Sequence, residues 1–225
     1  MKKTLAILLI LFGVIFLLVP TLKDRYVQWK AKEAISVIEA YTSEDIKENN
    51  ENSVAAFDYS VVEDISVTGT LLNASKANTK LIIGQLAIPS VGMNITIFKG
   101  IDNINLLAGA ATMRADQKMG EGNYPLAGHY TKTKNVLFAS LMDVKVGDLI
   151  RMTDKETIYE YRTYEVKVVE DDALYIIEDK FATDRGKPVI SLMTCYYSSK
   201  TGKRYFVLGE LTATYPYSEE KLLEK

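Results

Sequence analysis

Apolar residues run along this chain in three rhythms. From Thr4 to Leu22 no charge interrupts them. At ~1.5 Å per residue a helix of that length spans roughly 28 Å, the thickness of a bilayer core. Val27, Ala31, Ala34, Ile35, Val37 and Ile38 then recur at three-to-four spacing among Lys and Glu, which predicts an amphipathic helix within residues 24–48. Ser43 to Ser53 is polar and charged, and reads as a linker or a frayed helix end. From about residue 61 the pattern becomes that of β-structure.

Ile82 to Ile88 is an apolar run stopped by Pro89, and Met93 to Phe98 alternates after a Ser90-Val91-Gly92 turn. Further strands are expected at Tyr124–His129, Val146–Met152, Ile158–Val168, Pro188–Cys195 and Arg204–Gly209. Leu106 to Met113, rich in small residues, reads as a helical turn, and Val136 to Met142 as a short helix. Many short strands, few helices and no βαβ rhythm predict an all-β barrel or sandwich. The stretch from Val169 to Lys187 is a long connection of the kind that often carries function. The chain thus divides into a transmembrane signal anchor (1–22), a helical and polar stalk (23–58), a β domain (59–216) and a polar tail (217–225).

The apolar run ends Leu17-Leu18-Val19-Pro20-Thr21 without a small-x-small cleavage site, so an uncleaved anchor is the reading preferred over a cleaved signal peptide. Orientation is weakly encoded. Lys2 and Lys3 stand on one side, and Lys23, Arg25, Lys30 and Lys32 on the other, so the positive-inside count does not by itself place the β domain outside. A net charge of −2 without a basic patch argues against nucleic acid as a partner. One cysteine excludes an internal disulfide, and one Cys with one His cannot make a structural zinc site.

Those two single residues are the candidate chemistry. His129 and Cys195 each close a strand-like run, and Arg204 opens the next one. A thiol, an imidazole and a guanidinium at neighbouring strand ends supply a nucleophile, a proton carrier and an anion stabiliser for acyl transfer through a thioester. Taken singly, each has a plainer reading: a buried small hydrophobe, a satisfied polar side chain, a surface arginine. The local sequence favours chemistry. Ala127 and Gly128 are small enough to let another backbone or a ligand approach the imidazole. The polar run Tyr196 to Gly202 suits an exposed thiol. With ordinary pKa values of about 8.5 and about 6.5, thiolate with imidazolium is roughly 1% of the singly protonated pair, a minor form that is both nucleophilic and ready to donate.

Leu126-Ala127-Gly128-His129, Ser191-Leu192-Met193-Thr194-Cys195 and Lys203-Arg204, in that order, resemble the histidine, cysteine and arginine motifs of the class A sortases. The resemblance covers about residues 60–215 and takes in Phe98-Lys99-Gly100 and Asn105 to Gly109. It departs at Ser191, where the family usually has Thr; the hydroxyl is kept. The resemblance implies an eight-stranded β-barrel and a cysteine transpeptidase. Such an enzyme cuts a Leu-Pro-x-Thr-Gly sorting signal between Thr and Gly and passes the acyl group to an amine of a cell-wall precursor, lipid II or its cross-bridge. It implies a single-pass membrane protein with its catalytic domain outside a Gram-positive cell.

On that reading Arg204 and the Tyr196 N–H receive the oxyanion, Thr194 bonds the peptide, Ala127 lines the groove, and Leu174, Ile176 and Ile177 wall in the substrate leucine. Ordinary loop-to-core packing is the plainer alternative for the last three. Some class A sortases bind calcium, but the loop before the histidine offers only Asp116 and Glu121 among Arg114 and Lys118, so no metal and no cofactor are expected. A pilin-polymerising sortase is disfavoured because the chain has no Asp-Pro dipeptide for a lid and residues 215–225 cannot span a bilayer. A stalked binding module without chemistry would bury Cys195.

Overall fold

The computed structural model describes residues 2–57, 65 and 77–225. The expected start of the β domain at residue 59, and the β-like sequence from 61 to 76 apart from Ile65, lie outside the described residues. The apolar run and the first part of the expected stalk are one helix, α1 (Lys2–Ala40). It is long and apolar enough at its N-terminal end to cross a membrane. The described side chains from Leu5 to Phe12 are exposed, whereas Val27, Lys30, Ala34 and Ile38 form a buried stripe at helical spacing. Val27 packs with Leu107, Val136 and Leu137, and Ala34 and Ile38 with Ile82, Phe98 and Ala108. The stalk therefore lies along the β domain.

The C-terminal carbonyls of α1, which no helical N–H reaches, are capped from the barrel. The Lys155 ammonium donates to the carbonyls of Ile38 at 2.7 Å, Glu39 at 2.9 Å and Tyr41 at 3.0 Å. The polar run expected to be a linker or a frayed helix end is a second helix, α2 (Ser43–Asn52). Thr42 and Asp45 form a reciprocal capping box at its start, and buried Ile46 fastens it to Leu81 and Ile82.

The β domain is a closed barrel in the order β1-β2-β3-β4-β7-β8-β6-β5. Its strands are β1 (Ile82–Ile88), β2 (Met93–Phe98), β3 (Ala110–Thr112), β4 (Asn123–Ala127), β5 (Leu149–Thr153), β6 (Thr157–Glu170), β7 (Val189–Cys195) and β8 (Lys203–Pro216). Closure leaves no open edge. Leu86, Ile97, Leu126, Ile150, Leu192 and Val207 fill the interior. Two expectations shift. Leu106 to Met113 divides between α3 (Asn103–Leu106), capped by Asp102, and β3, which pairs with β4 through Ala111 and Ala127. Val136 to Met142 gives way to a loop and a 3-10 turn, Ala139–Asp143. The long connection after β6 holds a 3-10 turn, Leu174–Ile177, and helix α4 (Lys180–Arg185). The polar tail also folds: α5 (Glu219–Leu223) buries Leu222 against Ala87 and Ile158. For the site, the decisive feature is that β4 and β7 run parallel side by side. Their C-terminal ends emerge at the same end of the barrel.

Candidate active site

Cys195 is the last residue of β7, and its ladder partner on β8 is Arg204. Directly opposed residues on antiparallel strands project to the same face with Cβ atoms ~4.5–5.5 Å apart. On the other side, the parallel register pairs Ala127 with Met193. The Gly128 N–H continues it, donating to the Met193 carbonyl at 3.0 Å, and the Thr194 hydroxyl donates to the Gly128 carbonyl at 2.8 Å. The same register, continued two residues past Ala127 and Met193, brings His129 level with Cys195. Three adjacent chain segments thus carry imidazole, thiol and guanidinium at one barrel end.

The small residues before His129 have a definite purpose. A Cβ on Gly128 would come within 2.6 Å of the Phe138 ring, and the Phe138 N–H donates to the His129 carbonyl at 3.1 Å. Close approach is made by this returning loop. The same loop holds Asn135 (φ 60°) and Leu137 (φ 50°) in the left-handed region. Leu137 is kept there by burial against Val27 of α1.

Several sequence expectations change. Cys195 is 2% exposed and His129 4%, so the thiol expected at the surface lies beneath it. The Tyr196 N–H donates to the Lys203 carbonyl at 3.0 Å; it is taken up by the strand ladder and is not an oxyanion donor here. Thr194 is fully buried, and its hydroxyl ties β7 to the histidine strand instead of facing a peptide. Ala127 and Ile176 are fully buried in one cluster with Met193, Phe206 and Leu208. They support the site from below and present no groove wall; Ile177 is nearly as buried. Leu174 opens the 3-10 turn beside them.

A layer of tyrosines was not anticipated. His129, Cys195 and Arg204 are each followed by one: Tyr130, Tyr196 and Tyr205. Tyr196 stacks on Tyr205 with centroids 6.3 Å apart, Tyr197 lies 4.7 Å from Tyr196, and Tyr130 meets Tyr197 edge-on at 5.9 Å. The spacing was visible in the sequence as a repeated tyrosine directly after each candidate residue.

Comparison with known proteins agrees with this arrangement. A sortase domain model matches residues 86–212. Sortase A of Listeria monocytogenes is 39% identical over 98% of this chain and 96% of its own length, and sortase A of Bacillus anthracis is 36% identical over 78% and 85%. The crystal structure of Listeria monocytogenes sortase A superposes with a TM-score of 0.58, covering 64% of this chain and 99% of that one.

The chain belongs to the class A sortases. It is therefore a transpeptidase that anchors surface proteins to the cell wall. In this sortase the hydroxyl kept at Ser191 has a defined role. Its hydroxyl donates to the Asn123 side-chain oxygen at 2.9 Å. The Asn123 amide donates in turn to the carbonyls of Ile176 at 2.8 Å and Glu178 at 3.0 Å. The hydroxyl is what the position needs, because it orients the amide that holds the long loop.

Arg114 completes the clasp. Its guanidinium grips Asp179 in a two-pronged pair at 2.8 and 3.0 Å and also binds Asp116, while Glu121 pairs with Lys118. The carboxylates of this region are thus bound to cations of the chain itself. Hydrogen bonds from Arg114 and from the Asn123 N–H hold the Asp179 carboxyl below its ordinary value. A lowered carboxyl stabilises the fold above its unfolded value of about 3.9, and this is lost only as pH falls through the lower folded value. The clasp is therefore intact at neutral pH. Arg114→Met is expected to cost up to about 1 kcal/mol of stability, because Asp179 is half exposed. It should also lower kcat/KM for a sorting-signal peptide several-fold, because the loop that the clasp holds supports the site from below. A melting curve and steady-state kinetics on one preparation check both.

Proposed function

We propose that Cys195, His129 and Arg204 carry out the transfer. The Cys195 thiolate attacks the carbonyl carbon of Thr in a Leu-Pro-x-Thr-Gly signal. Arg204, charged at any working pH, donates to the resulting oxyanion. The C–N bond breaks, and the His129 imidazolium gives its proton to the departing glycine amine. A thioester to Cys195 remains. An amine of the cell-wall precursor, lipid II or its cross-bridge, then attacks the thioester, loses a proton to His129 and expels the thiolate. The observation carrying this reading is the placement of Cys195, directly opposite Arg204 and beside the histidine strand. In the same reading residues 4–22 hold the protein in the cell membrane with the barrel outside, no metal or cofactor takes part, and nucleic acid is not a partner.

Because the thiol is covered, the peptide reaches it only after neighbouring groups move aside. Mass spectrometry of the protein with a Leu-Pro-x-Thr-Gly peptide and a panel of amines tests the proposal. A protein mass increased by the peptide up to Thr, lost again on adding amine, is expected. A peptide cut elsewhere, or product without a covalent intermediate, refutes it. Arg204→Lys keeps the charge and loses the planar fork, so kcat should fall by about 10²–10³-fold, as when one oxyanion donor is removed. Near-normal turnover would take Arg204 out of the mechanism.

A further inference from the structure

The membrane-facing end of α1 and the two loops that follow His129 and Cys195 enclose one cleft of about 460 Å³. Pro20, Lys23, Asp24 and Val27 form one wall, Tyr130 to Thr133 the second, and Tyr197, Ser198 and Lys200 the third. The opposite end of the barrel, at Lys155, meets the other end of the same helix, at Ile38 to Tyr41. The direction of α1 therefore fixes which end of the barrel points toward the apolar segment, and it is the end bearing His129 and Cys195. The uncharged run stops at Leu22, within one helical turn of the residues lining this cleft.

We propose that the catalytic end of the barrel rests on the surface of an anionic bilayer, with the loops after His129 and Cys195 at headgroup level. The proposal rests on the reading that residues 4–22 lie in the membrane. The chemistry of the rim suits that position. Among the described residues, Lys23, Lys132 and Lys200 line the cleft with one carboxylate, Asp24, which pairs with Lys23 at 3.4 Å. Arg25 is exposed one residue further along the helix. Lys134, in the same loop as Lys132, pairs with Asp143. Tyr197 is 58% exposed and Trp29 51%, and rings with one polar tip collect where hydrocarbon meets water. Cations near an anionic leaflet each strengthen its attraction by about fivefold. The arrangement turns the barrel end that carries the reacting sulfur toward the surface from which a membrane-bound acceptor amine would come. It also couples that surface to the histidine loop, since Val27 holds Leu137 in place.

The test uses the full chain in vesicles of phosphatidylcholine and phosphatidylglycerol, with lipids brominated on their acyl chains. Trp29→Phe removes the native tryptophan, and a single new one is introduced by Tyr197→Trp, Tyr217→Trp or Phe12→Trp. Tyr217 stands beside Lys155 at the far end of the barrel. Quenching is expected for tryptophan at 12 and at 197, at 197 most strongly with bromines placed near the headgroup, and absent at 217. Quenching at 12, with 197 as bright as 217, overturns the docked orientation while leaving the membrane anchor standing. No quenching at 12 refutes the anchor and the proposal together. Adding Lys132→Glu and Lys200→Glu should weaken quenching at 197 in anionic vesicles; unchanged quenching removes those lysines from the contact.

Discussion

Cys195→Ala is expected to end transfer completely, with a loss of at least about 10⁴-fold in kcat, as removal of a nucleophile does elsewhere. Neither the oxyanion nor the thioester can form without the sulfur. The fold should survive. The side chain is small, and its strand is held on both sides, by β8 through the full register from Val189 to Cys195 and by β4 through Asn123 to Ala127. Removing one buried heavy atom costs about 1 kcal/mol. The measurement is the mass of the protein after incubation with a sorting-signal peptide, beside a thermal melt. An intact melt with no adduct is the expected pair of results. A variant that still turns over would place the nucleophile elsewhere in the chain.

His129→Gln is expected to lower the rate by about 10²–10⁴-fold, the usual worth of a positioned proton donor. Glutamine fills much of the same volume and keeps hydrogen-bonding capacity, but it cannot deliver a proton at neutral pH. The defect should depend on the leaving group. A peptide amide needs its nitrogen protonated as the C–N bond breaks, whereas an ester of an acidic alcohol does not. The variant should thus recover much of its acylation rate on the ester. An equal loss on both substrates would mean that the imidazole only holds the loop in shape and carries no proton.

The sequence contained the barrel because its strands are short, apolar and bounded by turn residues; Ile82–Ile88 and Met93–Phe98 agree residue for residue with the structure. It was misleading where local pattern and tertiary role diverge. The run from Ser43 has a helix-capping signature at Thr42 and Asp45 that its polarity masked. The small residues of Ala110–Thr112 suit a strand because their neighbours on β2 and β4 lie close, which spacing along one chain does not reveal. At the site, the order of the three motifs was legible and the surroundings were not. Burial of Thr194, Ala127 and Ile176 follows from how the long loop folds onto β4 and β7. That fold is set by Asn123, Arg114 and Asp179, far apart in sequence. Burial of Cys195 is also what the binding-module reading expected. The relation to the sortases along nearly the whole chain decides between them.

The three carbonyls taken by the Lys155 ammonium have a kinetic meaning. They join rod and barrel into one body, so that, if residues 4–22 are embedded as proposed, the reactive sulfur sweeps a thin slab of space and not a hemisphere. Its meetings with other embedded molecules are then collisions in a plane. Turnover should follow the number of acceptors per unit area of bilayer, and dilution of the suspension at constant lipid composition should leave it unchanged.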